Sequence, residues 1–196
     1  MTLVLGIDPG AHGAFVVYNA DDGRLVSVHD CPIWFQQVGR TKRPRVDPIA
    51  LAEMLDTFAL MGVTIAVMEA VGGRGKQSAA AGFVFGYGVG MIYMALVYCR
   101  IPIETVIPST WKKLMNVPGK AKADDTAILA RADEMFPLDR AFFRGERGGK
   151  KIDRAEAAML AKFGADFILK TLKPVTGELE NDLTFKTRML AADTGA

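Results

Sequence analysis

Residues 78–99 run for 22 positions without a charged side chain. As a helix, at about 1.5 Å rise per residue, such a segment is long enough to cross a bilayer. It also carries Gly82, Gly86 and Gly90, the four-residue spacing at which helix backbones approach closely. Its neighbours decide between a membrane span and a buried helix. A strand-like apolar run ends at Glu69 just before it, and another, residues 103–107, follows within a few residues. A single span would put those two runs on opposite sides of a membrane. The segment is therefore read as a helix with one face on a sheet and the other on a second copy of the chain. No membrane association is expected.

The rest of the chain supplies that sheet. Residues 2–7 form a short β-branched run closed by Asp8-Pro9-Gly10, which reads as a buried strand followed by a tight turn. Residues 14–18 and 24–29 read as two further strands around Asp21-Asp22-Gly23, a hairpin signal. Residues 31–46 read as irregular and basic. Asp47-Pro48 starts a helix, because Asp caps and Pro suits the first helical position. Residues 63–68 are a fourth strand and 103–107 a fifth. Short helices follow from Pro108 and over 122–135, then a charged loop over 137–151 and an amphipathic helix over 153–172, stopped by Pro174. A meander followed by helical crossovers predicts an α/β chain, a five-stranded mixed sheet with helices on both faces. One domain spans 1–172, and 173–196 is a C-terminal extension with weak periodicity.

Composition narrows the function classes. Half of the 196 residues are hydrophobic and 23% are charged, which excludes a disordered or collagenous chain. Two cysteines fit a reducing cytosol, and the first ten residues lack the basic start of a signal peptide. The net charge of +2 conceals segregation: windows 40–45, 111–122 and 140–154 each carry +4, leaving −10 elsewhere. Basic segments that converge would form a phosphate-binding surface; separately they are solvated loops.

The acids carry the chemistry. Asp8 and Glu69 each end an apolar strand, where an unpaired carboxylate is costly to desolvate and a cation would offset that cost. Asp153 and Glu156 stand three apart at a helix start, on one face. Oxygen donors of this kind select hard cations such as Mg²⁺ or Mn²⁺. Four convergent acids can hold two ions about 3.5–4 Å apart, the arrangement used for in-line phosphodiester cleavage. Simpler readings stand beside this one: Asp8 as a turn residue, Glu69 paired with Arg74, Asp153 as a cap completed by Glu156 in a capping box.

Four stretches, GIDPG at 6–10, VMEA at 67–70, PSTWKKLMNVPGKAKADDT at 108–126 and KIDRAEAAMLA at 151–161, occur in order and at suitable spacing. Together they resemble the RuvC family of Holliday junction resolvases, within the RNase H-like superfamily, over residues 2–172. The resemblance implies an RNase H-like fold and a metal-dependent endonuclease, closest to phage-type members, that resolves four-way or other branched DNA by paired nicks. It implies Mg²⁺, with Mn²⁺ able to substitute, on Asp8, Glu69, Asp153 and Glu156, two ions to a site. DNA-contacting lysines fall on Lys112 and Lys122, and the dimer interface on 78–99. The implied place of work is the cytoplasm of a bacterium or a phage-infected host.

The chain departs from the family pattern in two places. Glu156 stands where many cellular members carry Asp. Gly72 stands where some carry an aromatic residue that enters the junction. Arg74 and Lys76 are read as phosphate contacts near the acids; Gly73-Arg74-Gly75-Lys76-Gln77 fails as a P-loop because Gln77 replaces the required Ser or Thr. Trp34 and Trp111 are read as packing residues and His12 as an inert turn histidine. Alternatives of other classes are an RNase H-like nuclease on flaps, forks or RNA–DNA hybrids, a non-catalytic junction-binding protein, and an actin-like ATP-binding domain. The last rests on GIDPG alone and needs a longer chain.

Overall fold

Strand β1 (Leu3–Asp8) is the middle of a five-stranded sheet, and its alternation organises the protein. In the computed structural model, which describes residues 1–72, 78–117, 125–145 and 147–171, the order is β3 (Arg24–Asp30), β2 (Ala14–Asn19), β1, β6 (Val63–Glu69), β7 (Ile103–Val106). β1, β6 and β7 run parallel, while β2 and β3 are antiparallel additions. This is the mixed sheet expected. Successive β1 side chains face opposite sides, so Leu3, Leu5 and Ile7 enter one core and Val4 the other.

The first core packs helices α1 (Pro48–Leu60) and α2 (Ala79–Tyr98) against the sheet, through Leu51, Leu55, Phe58, Ile92 and Leu96. The second packs α3 (Pro108–Leu114), α4 (Asp125–Met135) and α5 (Ile152–Phe163), through Trp111, Ile128, Leu129 and the alanine-rich face of α5. The caps follow the sequence. Asp47 accepts from the Ile49 and Ala50 amides at 3.0 and 3.1 Å, and Ser78 accepts from Ala81 at 3.2 Å.

Four expectations are corrected. Residues 31–46 are not irregular: β4 (Ile33–Val38) and β5 (Thr41–Val46) form a separate two-stranded ribbon. Gly39, at φ +58°, turns the chain, and the Thr41 hydroxyl donates to the Val38 carbonyl. Three cations and Pro44 hide the strand signal in β5, and a ribbon with two open edges tolerates the proline. The 137–151 loop holds a 3-10 turn, Arg140–Phe143, and an Arg144–Lys150 bridge. The last helix begins at Ile152, and its α-helical part gives way to a π-helical turn, Gly164–Ile168, before the expected end. Trp111 is fully buried as expected, but Trp34 is 45% exposed. The extension from 173 onward lies outside the described residues.

Candidate active site

Parallel pairing sets the first two acids side by side. Ile7 is in register with Met68, so Asp8 and Glu69 follow at the carboxyl ends of neighbouring strands. In open α/β sheets that end is where ligands bind. The second pair arrives on α5. That helix crosses β1 at Gly6, where a Cβ atom would lie 2.0 Å from the Ala157 carbonyl oxygen and 2.5 Å from the Ala161 nitrogen. Gly164 makes a matching close approach, its Cβ position 2.6 Å from Val67 and 2.8 Å from Val4. Two residues without side chains let the helix lie almost against the sheet, and its first turn then reaches the strand ends.

The charges of the other three acids all bear on Asp8. Its carboxyl is pushed well above the usual carboxylate range, first by burial, then by the charges of Glu156, Asp153 and Glu69 in that order, and it shares a hydrogen bond with Asp153. The capping alternative for the pair on α5 fails: Lys151 is the N-cap, no side chain caps the helix, and Asp153 sits inside the first turn. The Glu69–Arg74 alternative lies outside the described residues, as do Arg74, Lys76 and Lys122.

α3 supplies the partners. The Trp111 indole N–H donates to Glu69 Oε2 at 3.1 Å, and Lys112 Nζ donates to Glu156 Oε1 at 2.6 Å. The Lys112 ammonium also lies 5.1 Å from the centroid of the Trp111 ring. Consecutive residues thus hold two different acids. The Lys112 and Glu156 side chains are only 10% and 15% exposed. Lys112 is therefore set inward among the acids rather than on an outer surface. Sequence reading took Trp111 for packing alone; the sign of a second role was its place one turn into the helix that follows β7.

A basic cleft of about 560 Å³ opens beside the acids, lined by Arg144, Arg147, Lys151 and Arg154 around Asp30. Asp30 pairs with Ala14, and Ala14 with Asp8, so the cleft lies at the same end of the sheet. Arg154 clamps Asp30 at 2.6 and 3.0 Å and Lys151 reaches it at 2.9 Å, which holds its carboxyl below the usual range, the Arg154 hydrogen bond contributing most. Four of the six bases in the window 140–154 therefore line one surface.

Among the described residues no three His, Cys, Asp or Glu side chains stand ready-made as a cage around one point. The donor set nevertheless suits a hard divalent cation: it is all carboxylate, and burial and the neighbouring acids push the Asp8 carboxyl upward, a crowding that a cation would relieve. A cation there would add to the counter-charge that Lys112 gives Glu156. Among the described residues His12 is exposed and takes no part in the site.

No family model and no curated protein matches the chain. Solved structures do. RuvC of T. thermophilus in complex with Holliday junction substrate superposes with a TM-score of 0.60 at 12% identity, over 87% of this chain and 97% of that one. A second Thermus thermophilus RuvC structure gives a TM-score of 0.48 at 15% identity, over 84% and 95% of the two chains. The fold is the RuvC-like form of the RNase H-like architecture.

Proposed function

We propose that this chain is a divalent-metal-dependent endonuclease that cuts branched DNA, four-way junctions above all, as a homodimer making paired nicks. What supports the proposal is that Asp8 and Glu69 end neighbouring parallel strands of a RuvC-like sheet, with α5, which carries Asp153 and Glu156 in its first turns, packed directly on β1. Asp8, Glu69, Asp153 and Glu156 would hold Mg²⁺, or Mn²⁺ in its place, with room in the donor count for two ions. Such ions, when bound, supply charge stabilisation at the phosphoryl oxygens and a water acidic enough to attack.

The chain's own groups prepare that chemistry. Trp111 fixes the rotamer of Glu69, and the close packing of α5 on β1 fixes the distance between the two acid pairs. Lys112 gives Glu156 a counter-charge in the resting protein and is placed to transfer to the phosphate of a cut strand. Arg144, Arg147, Lys151 and Arg154 offer the neighbouring phosphates a basic wall. Arg74, Lys76 and Lys122 are assigned to further phosphate contacts from the sequence.

Dimerisation is assigned to α2. Its outer stripe of Phe83, Tyr87, Met94 and Tyr98 is 61–81% exposed, and nothing lies within 4 Å of the Cβ positions of Gly82, Gly86 and Gly90. The fold around it makes no use of those glycines, which suits close approach by a second copy. α2 is also the one described helix long and apolar enough to cross a membrane, with 22% of its apolar window buried. The dimer reading covers that face without a bilayer, and the work is assigned to the cytoplasm of a bacterium or infected host.

The test is a substrate panel. Labelled four-way junction, flap, fork, RNA–DNA hybrid and linear duplex are incubated with the protein in Mg²⁺, Mn²⁺ or EDTA. Preferential, metal-dependent cutting of the junction near its branch point is expected. Preferential cutting of flaps or hybrids would reassign the substrate, and tight junction binding without cutting in either metal would make the chain a binding protein.

A further inference from the structure

The ribbon β4–β5 belongs to neither core, and what it displays is unusual for a surface hairpin. Every residue of β4 is exposed, including Trp34 at 45% and Phe35 at 58%. Residues 31–46 contain Arg40, Lys42, Arg43 and Arg45 and no acid. None of these four cations forms an ion pair among the described residues. Arg45 is instead laid across the ribbon by hydrogen bonds to Gln36 Oε1 at 2.9 Å and to the Pro44 carbonyl at 3.1 Å. Pairing places Trp34 opposite Arg45 and Gln36 opposite Arg43, so an indole and two guanidinium groups share one face. The other face carries Val46, which packs against Gly88 of α2.

The base of the ribbon is fixed relative to the acids. The Cys31 amide donates to the Gly13 carbonyl at 2.8 Å, and the Asp47 amide donates to the Pro32 carbonyl at 2.9 Å. Gly13 lies in the short loop between Asp8 and β2, so the ribbon springs from the acidic end of the sheet. Strands of six residues extend about 20 Å, or about six phosphate steps at 3.4 Å each.

We propose that the β4–β5 ribbon is a DNA-gripping arm that holds a duplex beside the active site through Arg43 and Arg45 on the Trp34 face and Arg40 and Lys42 near its tip, with Trp34 stacked or wedged against the nucleic acid. This rests on the reading of the chain as a DNA nuclease. Unpaired cations interleaved with exposed aromatic residues match a polyanion that also offers flat apolar surfaces. An acidic protein would satisfy the cations and leave the indole unexplained.

The test measures binding of a four-way junction and a linear duplex across a salt series, in EDTA, with Asp8→Asn as the parent. Each lost phosphate contact lowers the slope of log K against log salt by about 0.9. Arg43→Gln is expected to lower the slope by about one unit, and the triple change Arg40→Gln, Lys42→Gln, Arg43→Gln by two or more, with about tenfold or greater loss of affinity. Arg100→Asn, which removes a charge at the opposite end of the sheet, is the control and should leave the slope in place. A second readout uses the parent alone: Trp111 is fully buried, so acrylamide quenching reports Trp34, and saturating DNA should shield it. Unchanged slopes in the ribbon variants, an equal fall in Arg100→Asn, or unshielded Trp34 would each overturn the ribbon proposal while leaving the nuclease reading intact. A parent that binds neither DNA would remove both.

Discussion

Lys112 is the residue on which the resting site turns. Its ion pair with Glu156 at 2.6 Å is largely out of solvent, and losing one member of such a pair costs about 3–5 kcal/mol because the other is left uncompensated. Lys112→Met should therefore lower stability in EDTA by about that amount. Added Mn²⁺ should restore more of it than the wild type gains, since a cation on the acids replaces the missing ammonium. Urea unfolding with and without Mn²⁺ reads both effects; a variant indifferent to Mn²⁺ would argue against a metal at these acids. Trp111→Phe keeps an aromatic ring in the core but removes the five-membered ring with its N–H bonded to Glu69, so its folding is checked by denaturant midpoint before activity is compared. It should slow single-turnover cleavage by about 10–100-fold, the usual cost of an outer partner of a metal ligand. Sequence alone could place the acids on strand ends and a helix face, because period and turn signals locate them. It could not show Lys112 turned inward, because a lysine two residues after Thr110 reads the same whether its ammonium meets a phosphate or a carboxylate.

At the scale of elements, α5 on β1 decides whether the acids meet. Gly6 faces backbone rather than a flexible side chain, so the helix must move to admit even one methyl group. Gly6→Ala should destabilise the protein by about 3 kcal/mol, the upper end of overpacking costs. Denaturant midpoints measure this, and the displaced helix should also lose cleavage activity. A second anchor is Asp139, 3% exposed, which binds Arg24 at 2.8 Å and the Leu25 amide at 3.1 Å and so ties the chain after α4 to edge strand β3. Asp139→Ala should cost about 1–3 kcal/mol in the same assay, because the buried Leu25 amide loses its acceptor while Arg24 can turn to solvent. The five sheet strands were legible because each alternates or runs apolar between turn residues. The ribbon was not: it buries little, so no hydrophobic period marks it, and its cations imitate a solvated loop.

At the scale of the whole molecule, the uncharged segment that opened the sequence question is only half accounted for by the fold. Val89, Ile92 and Leu96 enter the core, while Phe83, Tyr87, Met94 and Tyr98 face outward. Gly86 and Gly90 give two opposed expectations for one change. Replacing both by Ala should raise the stability of the isolated chain by up to about 1 kcal/mol per residue, because Ala is the better helix former and nothing lies near either Cβ position. The same change should weaken self-association, which sedimentation would detect as a shift from dimer toward monomer. Equal association in both proteins would place the dimer contact elsewhere.

The most direct measurement is cleavage of an end-labelled mobile four-way junction in Mg²⁺, comparing the wild type with Asp8→Asn. Paired nicks near the branch point are expected, requiring the metal and falling by more than about 100-fold in the variant, beyond the cost of losing an outer partner. Cutting that survives in Asp8→Asn, or that proceeds in EDTA, would contradict the metal-dependent nuclease reading.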